Sequence, residues 1–327
     1  MHYENMPSFL RNNDTRPFTI SAKRIKRNTL QFFEITFWYL PTVFAHPKKH
    51  YEFYKVLKFY RKNDLIGFRT YRLYLFSYLS KTLSIIDKLV ALTHHYSFLE
   101  KVFSEHYLKQ IFSKHLLCWE EHGAGTDFRI LLKANHLEFE GSLTLTFTVN
   151  EVPVFSLNFS FVPGKIFGFK NKDTILFISG LKGFGNEFSN ISLISRHFYE
   201  MSPRVILLKI AECIAVSLDL DTILAVNVDK QVSFGNEKRY ELFSNNYDSF
   251  WERLHGVQLE NGYYYFKCPF SYKPVQSVER RYRKRAIRRR NKLDEIFNKG
   301  KCIIEQYKKE KKTSYNPTPL IYIAENK

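Results

Sequence analysis

Cysteines are few in this 327-residue chain, and none of its hydrophobic runs is long. The cysteines form no paired-cysteine motif, which argues against a zinc site or a disulfide framework and favours a reducing compartment. The most apolar early run, residues 30–45, contains Glu34 and is interrupted by Pro41. It is too short to cross about 30 Å of hydrocarbon, so no transmembrane span is predicted. The first residues also lack the pattern of a secretory signal, and we expect a cytoplasmic protein.

Hydrophobic and basic residues are plentiful. The chain is 44% hydrophobic and 17% aromatic, enough for a sizeable core, and its formal net charge is +18. Residues 279–312 contain 15 basic and 5 acidic residues, so this tenth of the chain carries +10 of the excess. A charge of this size points to an acidic partner, such as phosphate, anionic lipid or nucleic acid.

The hydrophobic pattern divides the chain into five parts. We predict a mobile amino terminus (1–22), a helical region (23–135), an α+β core (136–272), a long basic C-terminal helix (273–312) and a tail (313–327). In the helical region, Tyr54, Leu57 and Tyr60 recur at the spacing of one buried helix face. The predicted fold class is therefore α+β, with a helical N-terminal region before a mixed β-sheet.

Alternation defines the predicted core. Residues 141–150 and 154–162 alternate between apolar and polar side chains, which predicts an antiparallel hairpin with one buried face. Residues 174–181 are almost continuously apolar, as expected of a central strand. Ser202 and Pro203 predict the start of a buried helix. Further strands are predicted at 222–228 and 262–268, with a short helix before the last strand.

Two resemblances follow from these segments. The element order after residue 141 resembles that of acyltransferases of the GNAT type, which implies a GNAT-like mixed sheet and an acyl-CoA or acyl carrier as ligand. The stretches HHYSFL, LEFEGSLTLTF, LFISGLKG, MSPRVILLKIAECIAV, TILAVNV, NYDSFWERLHGV and RRYRKRAIRRRNKLDEI resemble the bacterial VirK/YbjX family over residues 90–297. That family is of unknown biochemical function. The resemblance implies a link to virulence and to survival of cationic antimicrobial peptides.

The glycine-containing loop after the central strand is the predicted ligand site. Its backbone amides, next to a helix N-terminus, suit a pyrophosphate, although a plain strand-to-helix turn explains the same residues. The predicted cofactor-binding residues are Lys182, Gly183, Gly185 and Asn186.

Three residues are candidate catalytic groups. Trp251 occupies the place where many GNAT enzymes have a tyrosine that protonates the leaving thiolate, and an indole cannot do this. Tyr247 or Tyr240 is the predicted substitute. His197 and Glu200, three residues apart on a predicted helix, form a candidate base and its orienting partner, or else an ordinary surface pair.

The arginine-rich stretch at 279–293 is basic nearly all round when placed on a helix, and three interpretations remain open. In the first, it contacts anionic lipid or a ligand phosphate. In the second, it is a solvated helix face or folds back on the protein's own carboxylates. In the third, it binds the phosphates of nucleic acid, which is the least favoured because no base-reading motif accompanies it. The predicted anion-binding residues are Arg280, Arg281, Arg285, Arg288, Arg289 and Arg290.

Two functions are therefore predicted. The first is an acyltransferase-like enzyme that modifies an envelope component, in the cytoplasm or peripherally at the inner membrane. The second is a non-enzymatic protein that uses its arginine-rich helix to bind anionic lipid, a protein partner or nucleic acid.

Overall fold

The computed structural model describes residues 40–123, 125–135, 139–185, 188–234 and 247–309. The predicted mobile terminus and tail, together with Asn186 and Tyr240, lie outside these residues. From Lys48 onward the described residues form one compact unit.

Helices and strands form an α+β arrangement, as predicted. The α-helices are α1 (Pro47–Lys62), α2 (Ile85–Val102), α3 (Glu105–Ser113), α4 (Phe188–His197), α5 (Pro203–Ser217), α6 (Asp248–Arg253) and α7 (Arg283–Glu305). The strands are β1 (Leu116–Gly123), β2 (Thr126–Ala134), β3 (Leu143–Val149), β4 (Val152–Val162), β5 (Ile175–Gly183), β6 (Thr222–Ala225), β7 (Val257–Gln258) and β8 (Tyr264–Lys267). Short 3₁₀ helices include Phe68–Leu75, Val228–Lys230 and Arg280–Tyr282.

The strands form one mixed eight-stranded sheet in the order β1-β2-β3-β4-β5-β6-β8-β7. Every neighbouring pair is antiparallel except β5 and β6, which are parallel. From β3 onward the elements follow the predicted order. The predicted helical region, 23–135, extends too far, because the β1–β2 hairpin occupies its last part. Phe128, Ile130 and Leu132 alternate with less buried residues along β2, so the strand signal was present in the sequence.

The predicted hairpin of β3 and β4 is present, but it is buried on both faces rather than one. All seven residues of β3 are buried, including Thr144, Thr146 and Thr148. Thr144 donates to the Asn158 side chain at 2.7 Å and Thr148 to the Arg129 carbonyl at 3.4 Å, whereas the Thr146 hydroxyl has no partner among the described residues. The alternation therefore predicts correctly which face of the hairpin is polar. Whether that face is exposed to solvent depends on the elements that cover the sheet.

Helix α5 begins as the sequence predicts, with Ser202 as its N-cap and Pro203 in its first turn. It packs against β3, β4, β5 and β6, and α7 packs against α5 and β1. Only the second half of α7 is buried, through Ile296, Gly300 and Ile304, which recur every four residues. The arginine-rich first half has no buried residue, so this part of the predicted basic helix lies at the surface.

Candidate functional site

A pocket of about 370 Å³ lies beside the end of β5 that extends past its pairing with β6. The two strands pair over only three residues of each, ending at Ile178 and Ala225, while β5 continues to Gly183 beside β4 alone. Clefts at the carboxyl ends of diverging parallel strands are common ligand sites in mixed sheets. The pocket is lined by Phe155, Leu181, Gly183, Ile191, Ser202, Pro203, Arg204 and Tyr247.

Tyr247 closes one side of the pocket and is buried. Its hydroxyl accepts a hydrogen bond from the Leu181 amide at 2.9 Å and lies 3.1 Å from the Leu181 carbonyl oxygen. Burial raises the pKa of Tyr247, and nearby Glu140 raises it further. The phenol therefore stays protonated at neutral pH and acts as a hydrogen-bond donor.

A buried carboxylate, Glu140, is linked to Tyr247 through Gln231. Gln231 donates to Glu140 at 2.6 Å, and the same amide nitrogen lies 3.4 Å from the Tyr247 hydroxyl. Asn158 donates to the other carboxylate oxygen at 3.0 Å. A Cβ atom at Gly180 would lie 2.4 Å from Glu140 Oε2, so a larger residue there would displace the carboxylate. The sequence analysis missed Glu140, whose only signal was its position directly before the alternating run of β3.

The strand next to this carboxylate is irregular. The β4–β5 pairing passes from Asn158↔Gly180 to Phe159↔Ile178, which makes Ser179 the extra residue of a bulge. Ser179 is fully buried, and its hydroxyl has no hydrogen-bond partner among the described residues. Bulges of this kind often occur beside functional sites, because they redirect side chains and interrupt pairing.

The opposite side of the pocket is the N-terminus of α5. Ser202, Pro203 and Arg204 line the pocket, and the Ser202 side chain makes no capping hydrogen bond. The Arg204 guanidinium lies over the Phe250 ring at 4.8 Å. Burial and nearby Arg253 lower the pKa of Arg204, while Tyr247 opposes this change. A helix N-terminus and an arginine together favour an anionic group at this side.

The predicted glycine loop lies only partly in the pocket. Gly183 lines it, and the Phe184 amide still bonds to the Val154 carbonyl at 3.0 Å. Lys182 is exposed, and no atom would lie within 4 Å of a Cβ at Gly185. Neither Gly183 nor Gly185 has a positive φ, so neither backbone conformation requires glycine.

The structure does not bring His197 and Glu200 together. Helix α4 ends at His197, and Glu200 follows with a φ of 61°. His197 Nε2 instead lies 2.8 Å from Glu121 on β1, and Glu121 also binds Lys292 at 2.6 Å. Neither His197 nor Glu200 lines the pocket. This arrangement ties α4, β1 and α7 together, which is a structural role.

Some residues of the arginine-rich segment contact the rest of the protein, and others are exposed to solvent. Arg285 and Arg289 form ion pairs with Glu200, and Arg289 also donates to the Tyr199 carbonyl at 2.6 Å. Arg280 and Arg288 are exposed, as is Arg281, which pairs with Glu279. Arg290 lies over the Tyr272 ring at 5.4 Å. The predicted anion-binding residues are thus divided between internal contacts and an exposed surface.

Among the described residues, no group of three or more His, Cys, Asp or Glu side chains could hold a metal ion. None of the described helices is long and apolar enough to cross a membrane.

The family model for DUF535, a protein of unknown function, matches residues 43–301. The chain belongs to the DUF535 family. This is the VirK/YbjX family that the sequence segments resemble, so the family prediction is confirmed. The match spans all eight strands and most of the arginine-rich helix of this DUF535 protein. No curated protein matches the chain.

Proposed function

We propose that this DUF535 protein transfers an acyl group from a thioester carrier, an acyl-CoA or an acyl carrier protein, to an envelope component. The pocket beside the end of β5 carries the proposal, since it joins an apolar wall to a helix N-terminus and Arg204. Phe155, Leu181 and Ile191 suit an acyl chain or its linker, and Arg204 suits a carrier phosphate.

In the proposed reaction, a nucleophilic oxygen or nitrogen of the acceptor forms a bond to the thioester carbonyl carbon and the carbon–sulfur bond breaks. The carrier leaves as its thiol, with the acceptor's lost proton balancing the proton that the departing sulfur takes up. Among the described residues that line the pocket, the Tyr247 hydroxyl is a donor that stabilises the charge developing on oxygen or sulfur when it exchanges its hydrogen bond to the Leu181 carbonyl for one to the ligand. Its raised pKa makes full proton transfer to a thiolate unfavourable, so it contributes a hydrogen bond. Glu140 and Gln231 keep the phenol in position. The role of this activity would be in virulence and resistance to cationic antimicrobial peptides, exerted from the cytoplasm at the inner membrane surface.

Thermal shift with a panel of acyl-CoA and acyl carrier ligands tests whether the protein binds a thioester carrier. A ligand at 100 times its Kd should stabilise the protein by about 2.7 kcal/mol, which raises Tm by several degrees. Arg204→Gln should abolish most of this shift. Arg196→Gln is the matched control, because Arg196 is exposed on α4 and does not line the pocket. No stabilisation by any ligand of the panel would overturn the proposal.

A second function is supported by the exposed arginine surface, which we define as Arg280, Arg281, Lys284 and Arg288. Two exposed apolar side chains, Tyr282 and Ile287, lie among these residues. Cations interleaved with exposed apolar side chains suit an anionic bilayer, at about 1 kcal/mol for each basic residue near the surface. The competing proposal is a non-enzymatic protein that binds anionic lipid through this surface.

Sedimentation with vesicles separates the two functions. Changing all four residues of the arginine surface to Gln should lower binding to phosphatidylglycerol vesicles by at least a hundredfold and leave acyl-CoA stabilisation intact. A control with Lys55, Lys58, Lys62 and Lys114 changed to Gln removes the same charge from exposed sites on and near α1 and α3. Equal losses in both variants would show a net-charge effect and would contradict a specific surface.

A further inference from the structure

A second pocket, of about 300 Å³, lies between α5, the end of α6, the segment after β8 and α7. We call it the basic pocket. Its cationic lining residues are Lys209, Arg253, Lys273 and Arg290, and its apolar lining includes Leu208, Leu254 and Leu293. No aspartate or glutamate is among its lining residues. The combination of a basic rim and a leucine-rich wall differs from the pocket at β5.

Three of the cations are uncompensated. Within the part of the chain that the structure describes, Arg253, Lys273 and Arg290 form no ion pair. Arg253 donates only to the Ser249 carbonyl, at 2.9 Å. Positive charges that converge on one pocket without carboxylate partners repel each other, so an anion that binds among them is favoured.

Two carboxylates, Glu212 and Asp294, contact residues of the basic pocket without lining it. Glu212 lies 2.8 Å from the Lys209 amine and accepts the Phe270 amide at 2.6 Å. Asp294 accepts the Tyr272 hydroxyl at 3.1 Å. Lys209 is therefore neutralised by its own partner, and the charge available to a ligand belongs to Arg253, Lys273 and Arg290.

One wall of the pocket holds its cations in place. The Tyr272 ring has the Lys209 amine 5.2 Å from its centroid and the Arg290 guanidinium 5.4 Å from it. Stacking on an aromatic ring fixes a guanidinium plane and leaves its N–H donors free for a planar or tetrahedral anion. Binding therefore costs Arg290 less conformational entropy than it would cost an arginine without an aromatic contact.

We propose that the basic pocket binds a phosphate monoester carried on a hydrocarbon chain. The phosphate lies among Arg253, Lys273 and Arg290, and the chain lies along Leu208, Leu254 and Leu293. Charge complementarity selects the phosphate, and the leucines select an amphiphile over a free phosphate ion. This site is independent of acyl transfer at β5, because the two pockets share no lining residue.

Isothermal titration calorimetry with octyl phosphate tests the proposal. Inorganic phosphate serves as a probe without the alkyl chain, and octyl glucoside as a probe without the phosphate. Octyl phosphate should bind at least tenfold more tightly than either probe. Arg290→Gln with Lys273→Gln should weaken octyl phosphate at least tenfold, since each charge-assisted hydrogen bond accounts for about a factor of ten. Both side chains are at least partly exposed, so the variant should fold.

Lys55→Gln with Lys58→Gln is the charge-matched control on α1, and its affinity should stay within twofold of the original. Competition by phosphatidic acid vesicles would assign the phosphate to a membrane lipid, and failure to compete would assign it to a soluble amphiphile. Equal affinity for inorganic phosphate, or unchanged affinity after Arg290→Gln with Lys273→Gln, would overturn the proposal. Thermal shift with acyl-CoA on the same variant should be unchanged, which keeps this result separate from the test of acyl transfer.

Discussion

The Tyr247 hydroxyl takes the place of a missing strand beside Leu181. It bonds to both the amide and the carbonyl of that residue, at 2.9 and 3.1 Å, where β6 no longer pairs with β5. A cleft between diverging strands otherwise leaves backbone groups of the longer strand without partners. Tyr247 thus allows the sheet to open into a pocket while the edge of β5 keeps its hydrogen bonds.

Removing this hydroxyl should cost stability. Tyr247→Phe leaves the buried amide and carbonyl of Leu181 without a partner, and we expect a loss of about 1–3 kcal/mol in the free energy of unfolding, measured with urea. Tyr265→Phe is the matched control, because the Tyr265 hydroxyl makes no hydrogen bond in the described structure, and it should change stability by less than about 0.5 kcal/mol. Equal effects of the two substitutions would refute the edge role of Tyr247.

A methyl group at Gly180 should disturb the Glu140 network. The added Cβ of Gly180→Ala would lie 2.4 Å from Glu140 Oε2, and the carboxylate is held by Asn158 and Gln231. We expect a loss of about 1–3 kcal/mol, typical of overpacking. Gly185→Ala adds the same methyl in open space and should be nearly neutral. If both changes were neutral in urea unfolding, the carboxylate would not be fixed in this position.

The protein should become less stable as the pH decreases, because of His95. Burial lowers the pKa of His95 to about 3, and its Nδ1 accepts the Phe161 amide at 3.1 Å. In the unfolded chain a histidine has a pKa of about 6.5, so below that pH the unfolded state binds a proton that folded His95 does not. The contribution is complete above about pH 6.5 and decreases as pH falls toward 3. From pH 7.5 to pH 5 it amounts to about 2 kcal/mol.

Urea unfolding at several pH values checks this dependence. His95→Asn keeps an oxygen acceptor near the Phe161 amide and removes the titration, so its stability should decline less steeply than that of the original chain. His106→Asn, at an exposed position on α3, should leave the slope unchanged. A His95→Asn slope equal to that of the original chain would exclude His95 as the source.

The buried ion pair of Lys209 and Glu212 should be sensitive to the loss of one partner. Their side chains are 8% and 1% exposed. Burial by itself would lower the pKa of Lys209, but Glu212 beside it raises that pKa above its ordinary value, so the amine is charged. Lys209→Met should cost about 3–5 kcal/mol, because it leaves the Glu212 charge unpaired.

A double-mutant cycle completes this test. Glu212→Gln retains an oxygen for the Phe270 amide and removes the charge, so Lys209→Met with Glu212→Gln should recover most of the loss. Urea unfolding measures all members of the cycle. Additive losses in the double variant would mean that the two side chains do not interact.

Much of the sheet could be predicted from the sequence, because its signals are local. The alternation of Leu143–Val149, the apolar run of Ile175–Gly183 and the Ser202–Pro203 helix start depend on neighbouring residues, and all three correspond to elements of the structure. Strand β2 has a similar alternation, but the β1–β2 hairpin falls within the region that was predicted to be helical. The family was also evident from short segments in a fixed order.

The candidate sites depend on contacts between distant parts of the chain, which local patterns do not encode. Spacing suggested that His197 faces Glu200, yet the helix ends at His197, and Glu121, 76 residues earlier, provides its partner. Glu140 reaches Gln231 across 91 residues.

Composition and local pattern alone determined that this chain is basic and α+β with an arginine-rich C-terminal helix, and the resemblance of its ordered segments to the family identified it as a DUF535 protein. The tertiary structure alone decided which arginines bind Glu200, which remain exposed, and that Arg290 turns toward a pocket. The reason is physical: a run of arginines sets the total charge, whereas the acidic, aromatic and apolar groups that each arginine meets are brought there by the packing of α7 against α5 and β1.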